Sequence, residues 1–337
     1  MKKNVCIVSV ALIGLLTVAC SNEDCLVQEE TVQTQLECSD DEQELERIAS
    51  QINDLGIQYT SGKSEYIDAM TRLGPISHSK GKKVVVVADA VGALVGGVKG
   101  FGAGGWLGGV VGALWYGAKA SIKAAGTIAA WNYITEKPVK NNAMSSNYLV
   151  ISSGLTNPSF MMSADSIGYI HNDIAYEIFK NYENYSHFMN LSNSGKHQMV
   201  DSIIISKYPN FQDSLTVADP HLSHTIIELD PYDSSYNVVL HDMGRAIETY
   251  DNLSDFCDYL KSSLNVATGE MDILHAYVRL ASDLETNDDL YDFTLNTLTS
   301  IVQSSIASDT KERLVLAVIT GYASMHLWDD DAFSALE

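Results

Sequence analysis

The stretch AVGALVGGVKGFGAGGWLGGVVGALWYGA, residues 90–118, places a glycine at every fourth position six times in succession. Residues four apart lie one above another on an α-helix, so this row predicts a helix with one face that lacks side chains. Such a face allows another helix backbone to approach closely. The first row consists of Gly92, Gly96, Gly100, Gly104, Gly108 and Gly112, and a second row beside it contains Gly97, Gly105 and Gly109.

This helix is unfavourable in water, because each interior glycine costs roughly 1 kcal/mol relative to alanine. Residues 84–131 contain 12 glycines, so the cost is on the order of 10 kcal/mol. A typical domain is no more stable than that. Two environments offset the cost: a lipid bilayer, where the backbone must bond to itself, and close packing against a partner helix. The stretch is therefore either a membrane-interacting segment or a buried glycine-rich hairpin.

The length of the uncharged stretch favours the membrane. Nineteen residues without charge separate Lys99 from Lys119, which corresponds to about 28 Å of helix. This is close to the hydrocarbon thickness of a bilayer. Mostly apolar flanks extend the stretch to residues 84–134. The pattern permits one span with amphipathic flanks, or two spans bent into a hairpin near residues 99–105.

The N-terminus carries an export signal. Basic residues 1–3 and an apolar segment over residues 5–19 precede Cys20, a pattern that predicts a secretory signal peptide over residues 1–19. The sequence TVAC resembles the end of bacterial lipoprotein signals, in which the cysteine is lipidated. The next residues, SNED, resemble the acidic export signal of Bacteroidota surface lipoproteins. These resemblances imply an outer-membrane lipoprotein at the cell surface, lipidated at Cys20, with release into the medium as a further expectation.

Composition and motifs give little support to catalysis or to metal binding. There is no CxxC pair, and His221 and His224, three residues apart, lack an acidic partner. There is no GxSxG motif and no phosphate-binding loop. Cys257 lies in the helical pattern LSDFCDYL, which predicts a small buried hydrophobe. We expect no metal, no cofactor and no enzymatic activity.

Charge is distributed unevenly along the chain. The net charge is −22, yet residues 81–140 carry seven lysines against two acidic residues. The rest of the chain is strongly acidic, which excludes nucleic acid as a partner because phosphate binding needs a positive surface. The basic region coincides with the glycine-rich stretch, as expected of a segment that approaches an anionic membrane.

The pattern of the whole chain predicts an all-α protein: a glycine-zipper membrane-active helix or helical hairpin followed by a C-terminal helical bundle. In this bundle Ile167, Ile170 and Ile174 form one apolar stripe. The predicted segments are an acidic disordered tether over 20–44, short amphipathic helices and a basic loop over 45–80, the glycine-zipper segment over 81–135, a linker over 136–163 and an acidic helical domain over 164–337.

A short motif lies near the start of the helical domain. The sequence DSIGYIHNDIAYEI resembles a GxxHN pattern of Bacteroidota lipoprotein-like chains, carried here by Gly168, His171 and Asn172. His171 is four residues from Ile167 and therefore close to the apolar stripe. It is either a hydrogen-bonded core histidine or a ligand-binding one.

The segment GALVGGVKGFGAGGWLGG resembles the glycine-zipper cores of class II bacteriocins. The layout of the chain is similar to that of Bacteroidales antimicrobial toxins that are activated by proteolysis. These resemblances imply a secreted or surface antibacterial toxin that permeabilises target membranes. Its expected partners are the bilayer, a receptor on target bacteria and an activating protease. The alternative is a structural or anchoring envelope lipoprotein that self-associates through the glycine zipper.

A cut between the tether and the glycine-rich segment would release such a toxin. The stretch over residues 72–83 contains a glycine and a proline that oppose regular structure. It also offers basic residues to a protease at Arg72, Lys80, Lys82 and Lys83. Because nicking concentrates in exposed loops, we predict cleavage in this stretch.

Overall fold

The computed structural model describes residues 26–60, 78–129, 158–180, 182–208, 253–264, 266–284 and 286–328. Every regular element within these ranges is an α-helix, which confirms the predicted all-α class. The helices are α1 (Leu26–Thr60), α2 (His78–Ala129), α3 (Pro158–Phe179), α4 (Tyr182–Asn190), α5 (Asn193–Lys207), α6 (Leu253–Ser263), α7 (Thr268–Ala281), α8 (Asn287–Gln303) and α9 (Ser308–Leu327).

The chain forms two compact units, residues 1–43 and residues 44–337. The first unit is described from Leu26 onward, where it is helical and forms the first part of α1. The tether over residues 20–44 stays a prediction, but from Leu26 onward its residues are helical. The reason is local, because this part contains no glycine or proline and is rich in glutamate, glutamine and leucine, which favour helix.

The end of α1 that belongs to the second unit is an amphipathic helix. It continues past Gly56 to Thr60. A Cβ atom on Gly56 would lie 2.3 Å from Cδ1 of Leu280, so this glycine allows α7 to approach α1. The spacing of Leu45, Ile48 and Ile52 predicts one apolar face on this helix, and all three residues are buried.

Helix α2 is folded back on itself, although all of its residues are helical. A Cβ atom on Gly96 would lie 2.0 Å from the carbonyl oxygen of Gly112. In a straight helix, residues sixteen positions apart are separated by about 24 Å. The chain therefore reverses between Gly100 and Gly112. Of the two arrangements that the sequence permits, the structure has the hairpin, and the uncharged stretch does not form one straight rod.

We call residues 84–100 the first arm, residues 109–125 the second arm, and residues 84–125 together the glycine hairpin. The arms are antiparallel. A Cβ atom on Gly92 would lie 2.7 Å from the carbonyl oxygen of Tyr116, and one on Gly117 would lie 3.7 Å from Cβ of Ala93. The row of glycines on the first arm thus faces the backbone of the second.

The glycine hairpin lies in the core of the second unit. Helix α9 makes the most extensive contact with α2, followed by α3 and α7. The described residues of the expected glycine segment and of the expected helical domain share one hydrophobic core. The proposed linker over 136–163 lies almost entirely outside the described residues, so its boundaries stay predictions. No helix among the described residues combines the length and apolarity needed to cross a membrane.

Candidate functional site

The predicted glycine row is used in two different ways. Gly92, Gly96 and Gly112 lie where the arms touch, and Gly100 approaches the second arm, with its Cα atom 3.4 Å from a Cβ position on Gly112. Gly97 points away from this contact, since a Cβ atom there would lie 3.4 Å from Cγ of Arg313 on α9. The remaining glycines of the rows are Gly109, which is buried, and Gly104, Gly105 and Gly108, whose surroundings lie outside the described residues.

Small residues also lie where α9 contacts the hairpin and where α9 contacts α3. A Cβ atom on Gly321 of α9 would lie 3.4 Å from Cβ of Ala90 on the first arm. A Cβ atom on Gly168 of α3 would lie 2.9 Å from Cβ of Ala323 on α9. Sequence reasoning missed Gly321, although an interior glycine in a helical pattern is itself a signal of close approach.

One charged residue interrupts this apolar packing. Asp89 is in the middle of the first arm and is fully buried. Its Oδ2 atom lies 3.3 Å from Nε2 of His171 on α3 and accepts a hydrogen bond from the hydroxyl of Ser324 on α9. Three helices thus meet at one polar cluster, formed by side chains that are each 0% exposed.

His171 is held in place by its own neighbours. Asn172 donates a hydrogen bond from Nδ2 to the carbonyl oxygen of Ala323, at 2.8 Å. Nδ1 of His171 lies 3.5 Å from the place where a Cβ atom on Gly117 would be. A larger residue at this position of the second arm would crowd the imidazole ring. The structure therefore favours the core histidine of the two alternatives that the sequence left open.

The cluster is incompletely satisfied. Within the described part of the chain, Asp89 Oδ1, His171 Nδ1 and Asn172 Oδ1 are buried and have no hydrogen-bond partner. Each such atom costs about 1–3 kcal/mol of desolvation.

The cluster has the residue types of a hydrolase triad but not its arrangement. In a triad the serine bonds to the histidine, which the carboxylate orients from the other side. Here the carboxylate of Asp89 lies between His171 and Ser324, and the serine donates to the aspartate. With all three side chains at 0% exposure, a substrate also has no route to them. The cluster is suited to holding helices together rather than to nucleophilic catalysis.

The predicted cleavage site needs a correction. Lys83 is not in an exposed loop but in α2, where it is buried and forms an ion pair with Asp283 at 2.6 Å. Lys80 and Lys82 also lie within α2, because the helix begins at His78. Arg72 lies outside the described residues. The lysines continue the helix of the glycine stretch, and Asp283, in the turn after α7, is the partner of Lys83.

A cavity of about 490 Å³ separates α1 from α6 and α7. Burial lowers the pKa of His275, which lines this cavity, and the charges of Arg279 and Lys261 lower it further. Arg279 donates a hydrogen bond to Asn53 of α1 at 2.6 Å. The cavity thus lies beside the contact between α1 and α7, and Lys83 is the residue of the hairpin helix that reaches it.

Of the other residues singled out in the sequence, one is described by the structure and three are not. Cys257 is buried as predicted, and burial raises the pKa of its thiol to about 12. Cys20, His221 and His224 lie outside the described residues. Among the described side chains, no three histidine, cysteine, aspartate or glutamate residues lie close enough together to hold a metal ion. No family model, curated protein or solved structure matches this chain.

Proposed function

We propose that the protein is a secreted or surface antibacterial toxin that inserts the glycine hairpin into target membranes and permeabilises them. The observation that carries this proposal is the contact between Gly96 and Gly112. It joins the two arms backbone to backbone, as does the contact of Gly92 with the carbonyl oxygen of Tyr116. The hairpin is then a ready-made unit that the rest of the fold covers.

The two kinds of contact respond differently to lipid. The arms touch through glycines, and close backbone packing of this kind persists in a bilayer because it does not depend on water. The hairpin touches α3, α7 and α9 mostly through apolar side chains. That contact is driven by removal of apolar surface from water, so lipid can replace it. Transfer to a membrane would therefore keep the hairpin and separate it from the bundle.

The charges of α2 fit an approach to anionic lipid. Lys83, Lys99, Lys119 and Lys123 belong to this helix, and Asp89 is its one acidic residue. Each lysine near an anionic membrane surface contributes about 1 kcal/mol of attraction. Nζ of Lys119 also lies 5.5 Å from the ring centre of Trp115 and 5.8 Å from that of Tyr116. Such aromatic and basic side chains are typical of membrane interfaces.

The alternative, an anchoring lipoprotein that self-associates through the zipper, has weaker support. The glycine face that would join two copies is occupied by the other arm of the same chain, at Gly92, Gly96 and Gly112. Self-association through this face would require the arms to separate first. We therefore keep a bilayer as the main partner and place self-association after insertion. A receptor on target cells and lipidation of Cys20 remain parts of the proposal.

Activation by a protease needs one revision. Leu45 of α1 packs at Gly269, and Gly56 of α1 packs at Leu280, both on or next to α7. Tyr59 packs edge-on against Phe293 of α8. A cut at Arg72 would leave these contacts in place and hold the body on its lipidated tether. We propose that release of the body from the lipidated tether of the producing cell requires both the cut and the departure of α1 from α7 and α8.

Two disulfide variants test the central proposal. The Ala90→Cys, Gly321→Cys variant joins the hairpin to α9, where the Cβ atoms would be 3.4 Å apart. The Ala93→Cys, Gly117→Cys variant joins only the two arms, at 3.7 Å. Both distances are near the range of about 3.5–4.5 Å that disulfides adopt. The second variant is the matched control, because it leaves the hairpin free to depart as a unit.

The measurement is release of dye from vesicles of phosphatidylethanolamine and phosphatidylglycerol, at neutral pH and at about pH 5. Cys25 and Cys38 are changed to serine in every chain. We expect dye release by the parent chain and by the oxidised arm-to-arm variant. The oxidised hairpin-to-α9 variant should be inactive until it is reduced. No release by the parent at either pH, or full release by the oxidised hairpin-to-α9 variant, would overturn the proposal.

A further inference from the structure

We infer that the cavity between α1, α6 and α7 binds a small ligand with one carboxylate group, which Arg279 and His275 hold. The volume of this cavity, about 490 Å³, lies within the range of small-molecule sites. All of its lining residues belong to the second unit. The inference goes beyond the proposed function, which assigns no small molecule to this protein.

The cavity lies between two helices that run in the same direction. Leu45 of α1 packs at Gly269, and Gly56 of α1 packs at Leu280, so α1 and α7 keep the same offset along this length. Each helix contributes four lining residues at helical spacing, which share one face. They are Glu46, Ala49, Ser50 and Asn53 on α1 and Asp272, His275, Ala276 and Arg279 on α7. The acidic residue comes first on both faces and Arg279 comes last, so the cavity has an acidic end and a cationic end.

The cationic end carries one positive charge that no carboxylate balances within the described part of the chain. Arg279 donates from Nη2 to Oδ1 of Asn53 at 2.6 Å, and this acceptor is a neutral amide. Lys83 also lines the cavity, but it is paired with Asp283 at 2.6 Å. An arginine side chain has five N–H donors in a planar fork that matches a carboxylate. Arg279 can therefore bind an anion without leaving Asn53.

His275 supplies a second group that lacks a partner. It lies one helical turn before Arg279 on the same face of α7. Its Nε2 atom is buried and has no hydrogen-bond partner among the described residues. Burial, together with the charges of Arg279 and Lys261, lowers the pKa of His275, so the ring is neutral at neutral pH. A neutral ring with its proton on Nε2 can donate to the carboxylate that Arg279 holds, which would satisfy this buried donor.

The acidic end restricts the rest of the ligand. Glu46 is exposed, and Asp272 is half-buried and paired with Lys261 of α6. A second negative group on the ligand would be repelled by the carboxylate of Glu46, whereas a neutral or positive group would not. The face of α7 from Asp272 to Arg279 is about 10 Å long. The ligand that matches both ends is an extended amino carboxylate of the size of a short peptide with free termini, rather than a dicarboxylate or a phosphate.

A ligand in this cavity would contact α1 and α7 at the same time. A molecule that binds only the arrangement in which the two helices are together favours that arrangement by mass action. Loss of the ligand would then favour departure of α1 from α7. This consequence rests on the proposed function, in which α1 must depart before the body leaves its tether.

Calorimetric titration of the full chain tests the binding. The probe is triglycine with both termini free, and the matched control ligand is triglycine amide, which lacks the carboxylate. We expect a dissociation constant below about 1 mM for triglycine and at least about tenfold weaker binding of the amide, of succinate and of inorganic phosphate. No binding of triglycine, or equal binding of triglycine and its amide, would overturn the inference.

Variants of the chain locate the site. Arg279→Gln removes the cation and should weaken triglycine binding at least about tenfold. Ser50→Trp fills the cavity from α1 and keeps every charge, so it should also abolish binding, and it replaces Arg279→Gln if that variant does not fold. The matched control is Arg47→Gln, because Arg47 pairs with Glu44 and does not line the cavity. A folded Arg279→Gln or Ser50→Trp variant that binds like the parent would overturn the inference.

The titration of His275, followed by nuclear magnetic resonance, reports the position of the bound carboxylate. A negative charge beside the imidazole favours its protonated form, so saturating triglycine should raise the pKa of His275 and the amide should not. A pKa of His275 that is the same with and without bound triglycine would contradict the assigned position.

Exchange and dye release separate this site from the toxin function. At about ten times the dissociation constant of triglycine, hydrogen–deuterium exchange of residues 45–60 should slow by about tenfold in the parent and stay unchanged in Arg279→Gln. Triglycine binding by a chain that never releases dye would leave the site standing and remove the toxin function. Dye release by a chain that binds no triglycine would retain the toxin function and remove the site.

Discussion

Two places on the first arm, two helical turns apart, hold the hairpin by different means. At Gly96 the backbones of the two arms touch, and the nearest atoms of the second arm are the carbonyl group of Gly112. At Asp89 a charged side chain reaches two other helices, and part of its hydrogen-bonding capacity is unused. The first contact makes the arms one unit, and the second attaches that unit to the bundle. The contact between the two arms and the attachment of the hairpin to the bundle therefore depend on different interactions.

The largest effect is expected from Gly96→Ala, which breaks the contact between the arms. The added Cβ atom would lie 2.0 Å from the carbonyl oxygen of Gly112, and backbone on both arms would have to move. Overpacking of this kind costs typically 1–3 kcal/mol, and here we expect about 3 kcal/mol or more. Urea unfolding followed by circular dichroism measures it. A loss below about 1 kcal/mol would mean that the arms are not in backbone contact.

Ser324→Ala weakens the second kind of contact and should have an intermediate effect. It removes a hydrogen bond to the buried carboxylate of Asp89 and leaves His171 as its partner. A buried acceptor that loses its donor costs about 1–3 kcal/mol. The control is Ser300→Ala, because the exposed Ser300 hydroxyl bonds only within α8. Thermal unfolding of both variants should show a loss for Ser324 alone; equal effects would contradict the assignment.

Gly97→Ala should change stability in the opposite direction to Gly96→Ala, although the two residues are adjacent. A Cβ atom on Gly97 would make ordinary contact with Cγ of Arg313, at 3.4 Å. The substitution then adds the helix propensity of alanine, which contributes about 0.5–1 kcal/mol relative to glycine. A rise in the free energy of unfolding checks this. A loss as large as that of Gly96→Ala would show that both glycine rows face the second arm.

The smallest effect concerns His275, which is half-buried and lines the cavity between α1 and α7. Because burial lowers the pKa of His275 in the folded state, there is a pH range in which the unfolded chain binds a proton on this residue and the folded chain does not. Stability is therefore lost as the pH falls below the ordinary histidine value of about 6.5. His275→Gln should reduce this loss in global unfolding and leave exchange of the first arm unchanged. An unaltered pH profile of unfolding would contradict the assigned burial effect.

Much of the fold could be predicted from local patterns. The spacing of Leu45, Ile48 and Ile52 predicted a buried helix face, and the context of Cys257 predicted a buried thiol. The glycine row predicted close approach of two backbones, and the structure has that approach at Gly96 and Gly112. These features depend on residues within a few helical turns, so their periodicity is visible in the chain.

The candidate site could be predicted only in part. The spacing of His171 predicts a position near an apolar stripe, but nothing in the local pattern pairs it with Asp89. The glycine, the proline and the basic residues of 72–83 predict an exposed loop for Lys83, whereas the fold buries it against Asp283. In each case the residue that forms the contact lies far away in the chain, so the local sequence pattern does not predict it.

The sequence by itself determined that the chain is helical and that one helix must pack its backbone against another. It could not determine whether the partner was lipid, a second chain or the same helix, because a row of glycines satisfies all three. In the tertiary structure the partner is the other arm of the same helix. The structure also places Asp89 against His171, 82 residues later, and against Ser324, 235 residues later. The physical reason is that periodicity specifies which face is buried, while burial of a charge is specified only by the groups that meet it across the core.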